Sequence, residues 1–490
     1  NDGTNDGVRV NAKELRADVI GEGGNLGLTQ AARIEFAGMG GLLNTDAIDN
    51  SAGVDLSDHE VNLKILFSDL MEKALLTLED RNALLEELAP YVVEDVLAHN
   101  RAHALVLTLG ESRSKRNVAY FRSLIQEVHR LGYINRNLEQ LPDDDQLLER
   151  TARGQGLSRP ELAVCLSAVK IQVKREILQS ELISDVLLQD FLLGYFPETL
   201  HEKYRTEILR HPLGKEIIAT QVANYLIDVM GVTFVHRMCL GNSVSPVTVI
   251  KCALAAVLIL NVKELLKELR RYNTFAAYDK FLALRTITSG NLRDATSWLI
   301  SFHGLELTLE EMVTVYRPLY DLLRKELTED LTNSLGGKGV GILENVASLK
   351  ITPLFQSSVL SNGIIKYLFE MMWAHHRSPQ DIATVATMYA SVCHALQLQQ
   401  VLGSVESMVP SNKWENELLA NSLEDLRHGI SLLTVRLIEK NSLDSDAIHA
   451  AIMQSPQYHQ FLDTIKEMGE KQYSAAALSV LAKQITKYIL

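Results

Sequence analysis

Val19-Ile20-Gly21-Glu22-Gly23-Gly24-Asn25-Leu26-Gly27 decides how the N-terminal region is read. A β-type run enters a glycine-rich turn, and a helix-compatible segment, Leu28–Phe36, follows. Strand, glycine turn and helix is the order of the dinucleotide fingerprint GxGxxG. The match fails at two positions. Leu26 stands where the third glycine belongs, and Glu22 adds a negative charge to a turn that would have to cradle a pyrophosphate. The loop is therefore expected not to hold a diphosphate. Its glycines still permit close backbone approach to another part of a ligand. Asn25 offers an amide donor and acceptor suited to a ribose or a carboxamide. The plain structural alternative is a βα turn in which Asn25 caps the helix.

Further β-type runs flank this turn at Val8–Val10, Ala17–Ile20 and Leu42–Thr45. Together they read as a β-loop-α-β piece of an α/β layer. A parallel sheet cannot stand on so few strands, so its remainder is expected upstream or in another chain. From Ser57 onward the pattern is helical almost throughout. The expected fold is mainly α: a short α/β, Rossmann-like remnant followed by a large all-helical region. Ser158-Arg159-Pro160-Glu161 predicts a capping box with proline in the first turn. Leu162, Leu166, Val169 and Val173 then line one buried face. Ser378-Pro379-Gln380-Asp381 predicts a second helix start of the same kind. Leu307 to Leu335 reads as one long amphipathic stretch ended by Gly336-Gly337.

Composition limits the function classes. Apolar residues make up 47% of the 490 and charged residues 22%, ordinary for a soluble globular protein of more than one domain. The net charge of −13 argues against nucleic acid or an anionic membrane as the main partner. Cys165, Cys239, Cys252 and Cys393 form no CxxC pair and read as buried reduced thiols of a cytoplasmic protein. No signal peptide is visible. The apolar run from Cys252 to Leu260 is shorter than the roughly 20 residues a bilayer span needs, and reads as a buried helix. The chain opens on Asn1-Asp2-Gly3-Thr4-Asn5-Asp6-Gly7, turn chemistry without an initiator methionine, so it reads as a fragment that starts inside a loop.

A second segment matters: Asn44-Thr45-Asp46-Ala47-Ile48-Asp49-Asn50-Ser51-Ala52-Gly53-Val54-Asp55-Leu56-Ser57-Asp58-His59-Glu60. A short strand ends in a polar loop, and small residues at Ser51, Ala52 and Gly53 let the backbone pass close to a ligand. Ser57 is placed at an N-cap with Glu60 three residues on. A hydroxyl at a helix N-terminus suits a carboxylate, while the structural reading is a plain cap. Asp46, Asp49 and Asp58 read as surface turn carboxylates.

The two segments together resemble the glutamate dehydrogenases. Small hexameric members carry a Glu-Gly-Ala-Asn loop and, after a strand, an Asn-Ala-Gly-Gly-Val-x-x-Ser loop. The residues here are Glu22-Gly23-Gly24-Asn25 and Asn50-Ser51-Ala52-Gly53-Val54-Asp55-Leu56-Ser57. The longer forms of both segments, with Gly156-Leu157-Ser158-Arg159-Pro160-Glu161-Leu162-Ala163-Val164 and Glu216-Ile217-Ile218-Ala219-Thr220-Gln221, are similar to the very large NAD-specific class. The resemblance runs from the first residues to at least Arg237. Ser51-Ala52, where the small enzymes have Ala-Gly, puts the backbone detail of that loop in doubt.

The resemblance implies NAD as cofactor and L-glutamate and 2-oxoglutarate as substrates. Gly23, Gly24, Asn25 and Asn50 would face the cofactor, Asn25 near its ribose or nicotinamide and Asn50 near the carboxamide or substrate. Ser57 would bind the side-chain carboxylate of glutamate. The catalytic lysine and aspartate and the phosphate-binding turn would lie upstream of Asn1, leaving no catalytic residue in this chain and a fragment inactive by itself. Residues 1–105 would close the catalytic domain, and residues 106–490 would form a C-terminal helical domain. A homo-oligomer is expected. The other reading is a non-catalytic helical scaffold or regulatory module for assembly or allosteric control.

No metal is expected. His99 and His103 have the i, i+4 spacing of helical ligands but no third ligand nearby in sequence, and read as polar helix-face residues. His375 and His376 are adjacent and point to different sides of a helix. Gly336-Gly337-Lys338-Gly339-Val340-Gly341 follows a helix rather than a strand and reads as a terminating loop, not a phosphate cradle. Arg270-Arg271 and Arg113/Lys115/Arg116 read as solvated basic clusters.

Overall fold

The computed structural model describes residues 3–406, 408, 412–440, 450, 452–470 and 474–489. Asn1 and Asp2 of the opening turn lie outside them. The chain divides into two units, Asn1–Lys251 and Cys252–Leu490.

In the first unit the helices are α1 (Gln30–Gly38), α2 (Asp46–Asp49), α3 (Ser51–Glu72), α4 (Leu78–Arg116), α5 (Val118–Arg130), α6 (Asp144–Ala152), α7 (Arg159–Leu178), α8 (Gln189–Leu193), α9 (His201–Leu209), α10 (Gly214–Met230) and α11 (Phe234–Asn242). α4 is the spine: it packs on α3, α7 and α10, and α7 packs on α10. The stripe on α7 is as expected, with Leu162, Leu166, Val169 and Val173 all buried. Its start is as expected too. The Ser158 N–H and hydroxyl donate to Glu161 Oε2 at 2.7 and 2.8 Å. Glu161 is fully buried, and two Arg150 bonds of 2.8 and 3.0 Å neutralise it.

The expected strands do not form. Gly3–Val8 is a 3-10 turn, and Ala17–Ile20 and Leu42–Thr45 meet only at one isolated parallel bridge, Val19 to Leu42, among the described residues. Ile20 N donates to Leu42 O and Leu42 N to Asp18 O, both at 2.9 Å. A parallel ladder is stabilised by neighbours on both sides, and a single pair lacks them. Val8, Val10, Val19 and Leu42 are accordingly exposed. α1 lies between the bridge partners in sequence and packs Phe36 against Ala12 and Leu43. Its cap is Thr29, which accepts from Ala32 N at 3.2 Å, rather than Asn25.

The second unit is helical among the described residues. Lys413–Glu439 packs against Ala475–Ile489, Ile365–His376 and Ile382–Ala395, and Tyr278–His303 packs on Ile365–His376. Buried Glu370 organises this core: Trp298 Nε1 donates to it at 2.9 Å and Ser431 Oγ at 2.5 Å. Two helix starts differ from expectation. Asp381, not Ser378, caps Ile382–Ala395 by accepting from Thr384 N at 3.0 Å. The stretch Leu307–Leu335 is two helices, Leu309–Leu323 and Glu329–Ser334, because Thr328 opens a new one by accepting from Leu331 N at 3.1 Å. The Gly336–Gly341 segment ends one helix and starts another at Gly339, whose added Cβ would lie 2.2 Å from Val359 O.

The run from Cys252 to Leu260 falls mostly in the helix Pro246–Ile259 and is almost wholly buried. Cys165, Cys252 and Cys393 are buried free thiols, and Cys239 is half-buried. No single helix among the described residues is long and apolar enough to cross a membrane.

Candidate functional site

The two glycine-bearing loops are fixed to each other by charged groups turned inward. Glu22 is 4% exposed, and both its oxygens accept from Arg33 of α1 at 2.7 Å. Its charge is neutralised within the protein, so it is not offered to a ligand in the turn, contrary to the expectation drawn from its position. Arg33 also reaches Asp46 Oδ1 at 3.0 Å. Asp46 Oδ2 accepts from Leu26 N at 3.0 Å, and Asp49 Oδ2 accepts from Glu22 N at 3.0 Å. Asp49 Oδ1 accepts from Asn44 Nδ2 at 2.6 Å. Asp46 and Asp49 are thus clamps between loops, not solvated turn carboxylates. Burial opposes ionisation of Asp46, but the Leu26 and Ala47 N–H groups and Arg33 hold its carboxyl below the usual range. Leu26 pays for this clamp with a left-handed backbone (φ 61) and a side chain 85% exposed.

Asn50 stands at the junction of α2 and α3, with φ −96 and ψ 13 and no side-chain cap. Its Nδ2 instead donates to Asn25 Oδ1 at 3.2 Å. Gly53 makes room, because a Cβ there would sit 2.5 Å from Asn50 Oδ1. From α4, Asn100 Nδ2 donates to Ile48 O and to Ser51 Oγ, both at 2.9 Å, and so fixes the α2–α3 junction.

The histidines read as polar helix-face residues of α4 have defined partners. His99 Nδ1 donates to Asp55 Oδ2 at 2.8 Å. Lys170 Nζ donates to His103 Nε2 at 2.6 Å and lies 3.0 Å from Asp228. The Nδ1–H of His103 is thereby directed at Ser51 Oγ, 3.3 Å away. Burial and then the Lys170 charge push His103 down to about 4. His59 of α3 is pushed down to about 4 by burial. Burial is the largest influence on both His99 and Asp55 and opposes their charged forms, but their mutual hydrogen bond and the surrounding charges together outweigh it, raising His99 and holding Asp55 low. His59 stacks on Tyr195 with ring centres 4.1 Å apart and 8° between planes. Tyr195 OH accepts from Asn62 Nδ2 at 2.9 Å, and burial raises its pKa.

These groups surround a cavity of about 510 Å³ within the first unit. Asn25 and Asn50 line it, together with Asp55, His99, Lys174 and Tyr195. Gly23 and Gly24 are exposed beside it, with nothing within 4 Å of an added Cβ. Ser57 is not brought in. It lies in the second turn of α3, exposed, and its hydroxyl donates to Val54 O at 2.8 Å. The helix starts at Ser51 because Asp46–Asn50 already turn helically, so the expected Ser57 N-cap with Glu60 does not exist. Glu60 bonds Lys64 instead.

Lys174 and Tyr195, which also line the cavity, had no motif to mark them. Asp55 and His59 repeat the i, i+4 spacing of His99 and His103, the one signal by which they could have been found. Arg113, expected in solvent, donates to Met230 O at 2.9 Å at the end of α10.

Two family models match the chain. A family model described as the catalytic domain of bacterial NAD-glutamate dehydrogenase matches residues 1–110, and one described as the C-terminal region of glutamate dehydrogenase matches residues 154–487. The class is therefore the glutamate dehydrogenase family, matched over part of its catalytic domain and over its C-terminal region. An NAD-specific glutamate dehydrogenase of Pseudomonas aeruginosa is 33% identical over 438 residues, covering 89% of this chain and 27% of that protein. Its namesake in Mycobacterium tuberculosis is 30% identical over 498 residues, covering 99% of this chain and 30% of that protein. That of Halomonas elongata is 29% identical over 437 residues, covering 89% and 27%. The chain belongs to the NAD-specific glutamate dehydrogenase family, and it spans less than a third of the length of these relatives.

Proposed function

We propose that the cavity of the first unit is one wall of the site where a glutamate dehydrogenase brings the nicotinamide end of NAD to L-glutamate, which with NAD and water gives 2-oxoglutarate, ammonia and NADH. The observation that carries this reading is the Asn50–Asn25 hydrogen bond at the cavity edge. It leaves the Nδ2 donors of Asn25 and the Oδ1 acceptor of Asn50 for a carboxamide, which needs one of each. Gly23 and Gly24 leave open backbone beside them. These groups fit the nicotinamide end of the cofactor. Bound NAD would accept the hydride released at the substrate α-carbon.

The chain's own residues bind and orient. Lys174 is the one lysine or arginine on the cavity wall, and it has no carboxylate within 4.0 Å among the described residues. It suits a substrate carboxylate. Ser57, the residue that resemblance assigns to the glutamate side chain, would have to exchange its bond to Val54 O for one to the ligand. The acid–base lysine and aspartate of the reaction are assigned to sequence other than these 490 residues. The catalytic domain is assigned to residues 1–105 and the helical domain to 106–490, although α4 runs unbroken through 105. We place the enzyme in the cytoplasm as a homo-oligomer.

The test is kinetic. The 490-residue chain should form no NADH from glutamate and NAD, and turnover by it would overturn the placement of the acid–base groups. In an enzyme of the relatives' full length, Asn25→Ala and Asn50→Ala should each raise the KM for NAD roughly tenfold, the scale of one or two lost hydrogen bonds. An unchanged KM would overturn the nicotinamide assignment.

A second reading concerns the helical unit. A cavity of about 690 Å³ lies there, lined by Thr328, Asp330, Ala386, Thr387, Ala390 and His394. None of its lining residues is assigned to cofactor or substrate, as a regulatory cavity requires. Filling it with Ala386→Phe should change effector response or assembly without changing KM for glutamate.

A further inference from the structure

Asp55 and His59 lie one turn apart on the same face of α3, and His99 faces them from α4. Asp55 Oδ2 is 2.8 Å from His99 Nδ1, and Asp55 Oδ1 is 3.7 Å from His59 Nε2. One ligand atom from each residue falls within 4.8 Å of the other two. His59 Nε2 is buried without a hydrogen-bond partner, and the residue is only 2% exposed. An orphaned buried polar atom costs about 1–3 kcal/mol and calls for an explanation. The stack on Tyr195 fixes the ring plane, so the free nitrogen is held facing Asp55.

We propose that Asp55, His59 and His99 form a site for a borderline divalent cation of the zinc type. Two imidazole nitrogens and one carboxylate oxygen are a ligand set such ions take, with bonds of about 2.0–2.2 Å and ligand atoms about 3–3.5 Å apart. Reaching that spacing needs movements of about 1 Å, within side-chain torsions. Charge favours a cation as well. Asp55, Asp58 and Glu216 line the cavity against the single ammonium of Lys174, while the charge of Asp46, also on the wall, is taken up by Arg33. The ion would tie α3 to α4. Because Asp55 and His99 open on the cavity, the remaining coordination position would take an oxygen donor from that side, a water or a ligand carboxylate. His103 stays outside the set, since its two nitrogens are committed to Lys170 and Ser51. The site was hidden in the sequence because two of its three groups, Asp55 and His59, come from a helix some 40 residues upstream of His99. It stands independently of the dehydrogenase reading.

The test is titration of the 490-residue chain with Co2+ as a spectroscopic substitute, followed by Zn2+ competition. One Co2+ per chain should give visible ligand-field absorption, displaced by one equivalent of Zn2+. Asp55→Asn and His99→Gln, both at half-buried positions, should weaken binding at least tenfold while keeping the far-UV circular dichroism of the parent. His103→Gln should leave binding unchanged. Absence of a saturable site, or a site that persists in both ligand variants, would overturn the proposal. A variant that loses its helical signal is replaced by His59→Gln, which is read by the same criterion.

Discussion

Asn50 Nδ2 donates to Asn25 Oδ1 at 3.2 Å, joining two loops 25 residues apart, and Gly53 is what lets the Asn50 side chain fold back over the first turn of α3. Gly53→Ala therefore separates stability from site geometry. Alanine in a helix gains roughly 0.5–1 kcal/mol over glycine, whereas the new methyl displaces the Asn50 amide. The thermal midpoint should hold or rise. Hydrogen exchange in the turn 22–27 should accelerate severalfold. Unaltered exchange there would show that Asn50 does not steady the turn.

Glu22 and Arg33 make a buried pair whose halves should not be removed separately. Arg33→Met leaves a carboxylate buried without its cation, a loss of about 3–5 kcal/mol in local stability. Glu22→Gln should cost less, because Arg33 keeps Asp46. The double variant should recover most of the loss. Native-state hydrogen exchange across residues 18–43 measures this locally, and additive single effects would contradict it.

His103 makes stability depend on pH. Its folded pKa, near 4, lies below the ordinary 6.5. Between those values the unfolded chain binds the extra proton. The stabilising contribution is therefore complete above about pH 6.5 and is lost as pH falls from there toward 4. The groups facing His103 are Lys170, Asp228, His99 and Asp55. At this half-buried site the effect should be roughly 1–2 kcal/mol. Urea denaturation of the parent and of His103→Gln at pH 7 and pH 5 would reveal it. The variant's loss between the two pH values should be smaller, and parallel losses would sink the argument.

Lys174→Met tests the carboxylate assignment. A charge-assisted hydrogen bond is worth about 1.5–3 kcal/mol, so the KM for glutamate in the full-length enzyme should rise tenfold or more with kcat little changed. A fall in kcat alone would point to a different role.

Much of the helical architecture was readable because it rests on local chemistry. Ser158 and Glu161 carry their cap within four residues, and the α7 stripe is a period that one helix displays by itself. Ser378 failed because Asp381, three residues later, competes for the same cap. The strands failed because β structure is stabilised by partners distant in sequence, and Val19 finds only Leu42. The site was half legible. Asn25 and Asn50 sat in recognisable loops. Asp55, His59, His99 and Lys174 gain meaning only when α3, α4 and α7 are packed, and an i, i+4 pair shows none of what faces it. Glu22 was misread for the same reason: its partner is on the next helix.

α4 is a single 39-residue helix, about 58 Å long, and Asn100 is more than halfway along it. Asn100 is also the side chain that grips Ile48 O and Ser51 Oγ, just before and after Asn50. Mechanically the helix is a lever with its grip at the α2–α3 junction. A tilt of a few degrees about either end would translate Asn100 by an ångström or more, enough to break bonds of 2.9 Å. The aim of Asn50 is thus set by whatever holds a rod many times longer than the loop it belongs to.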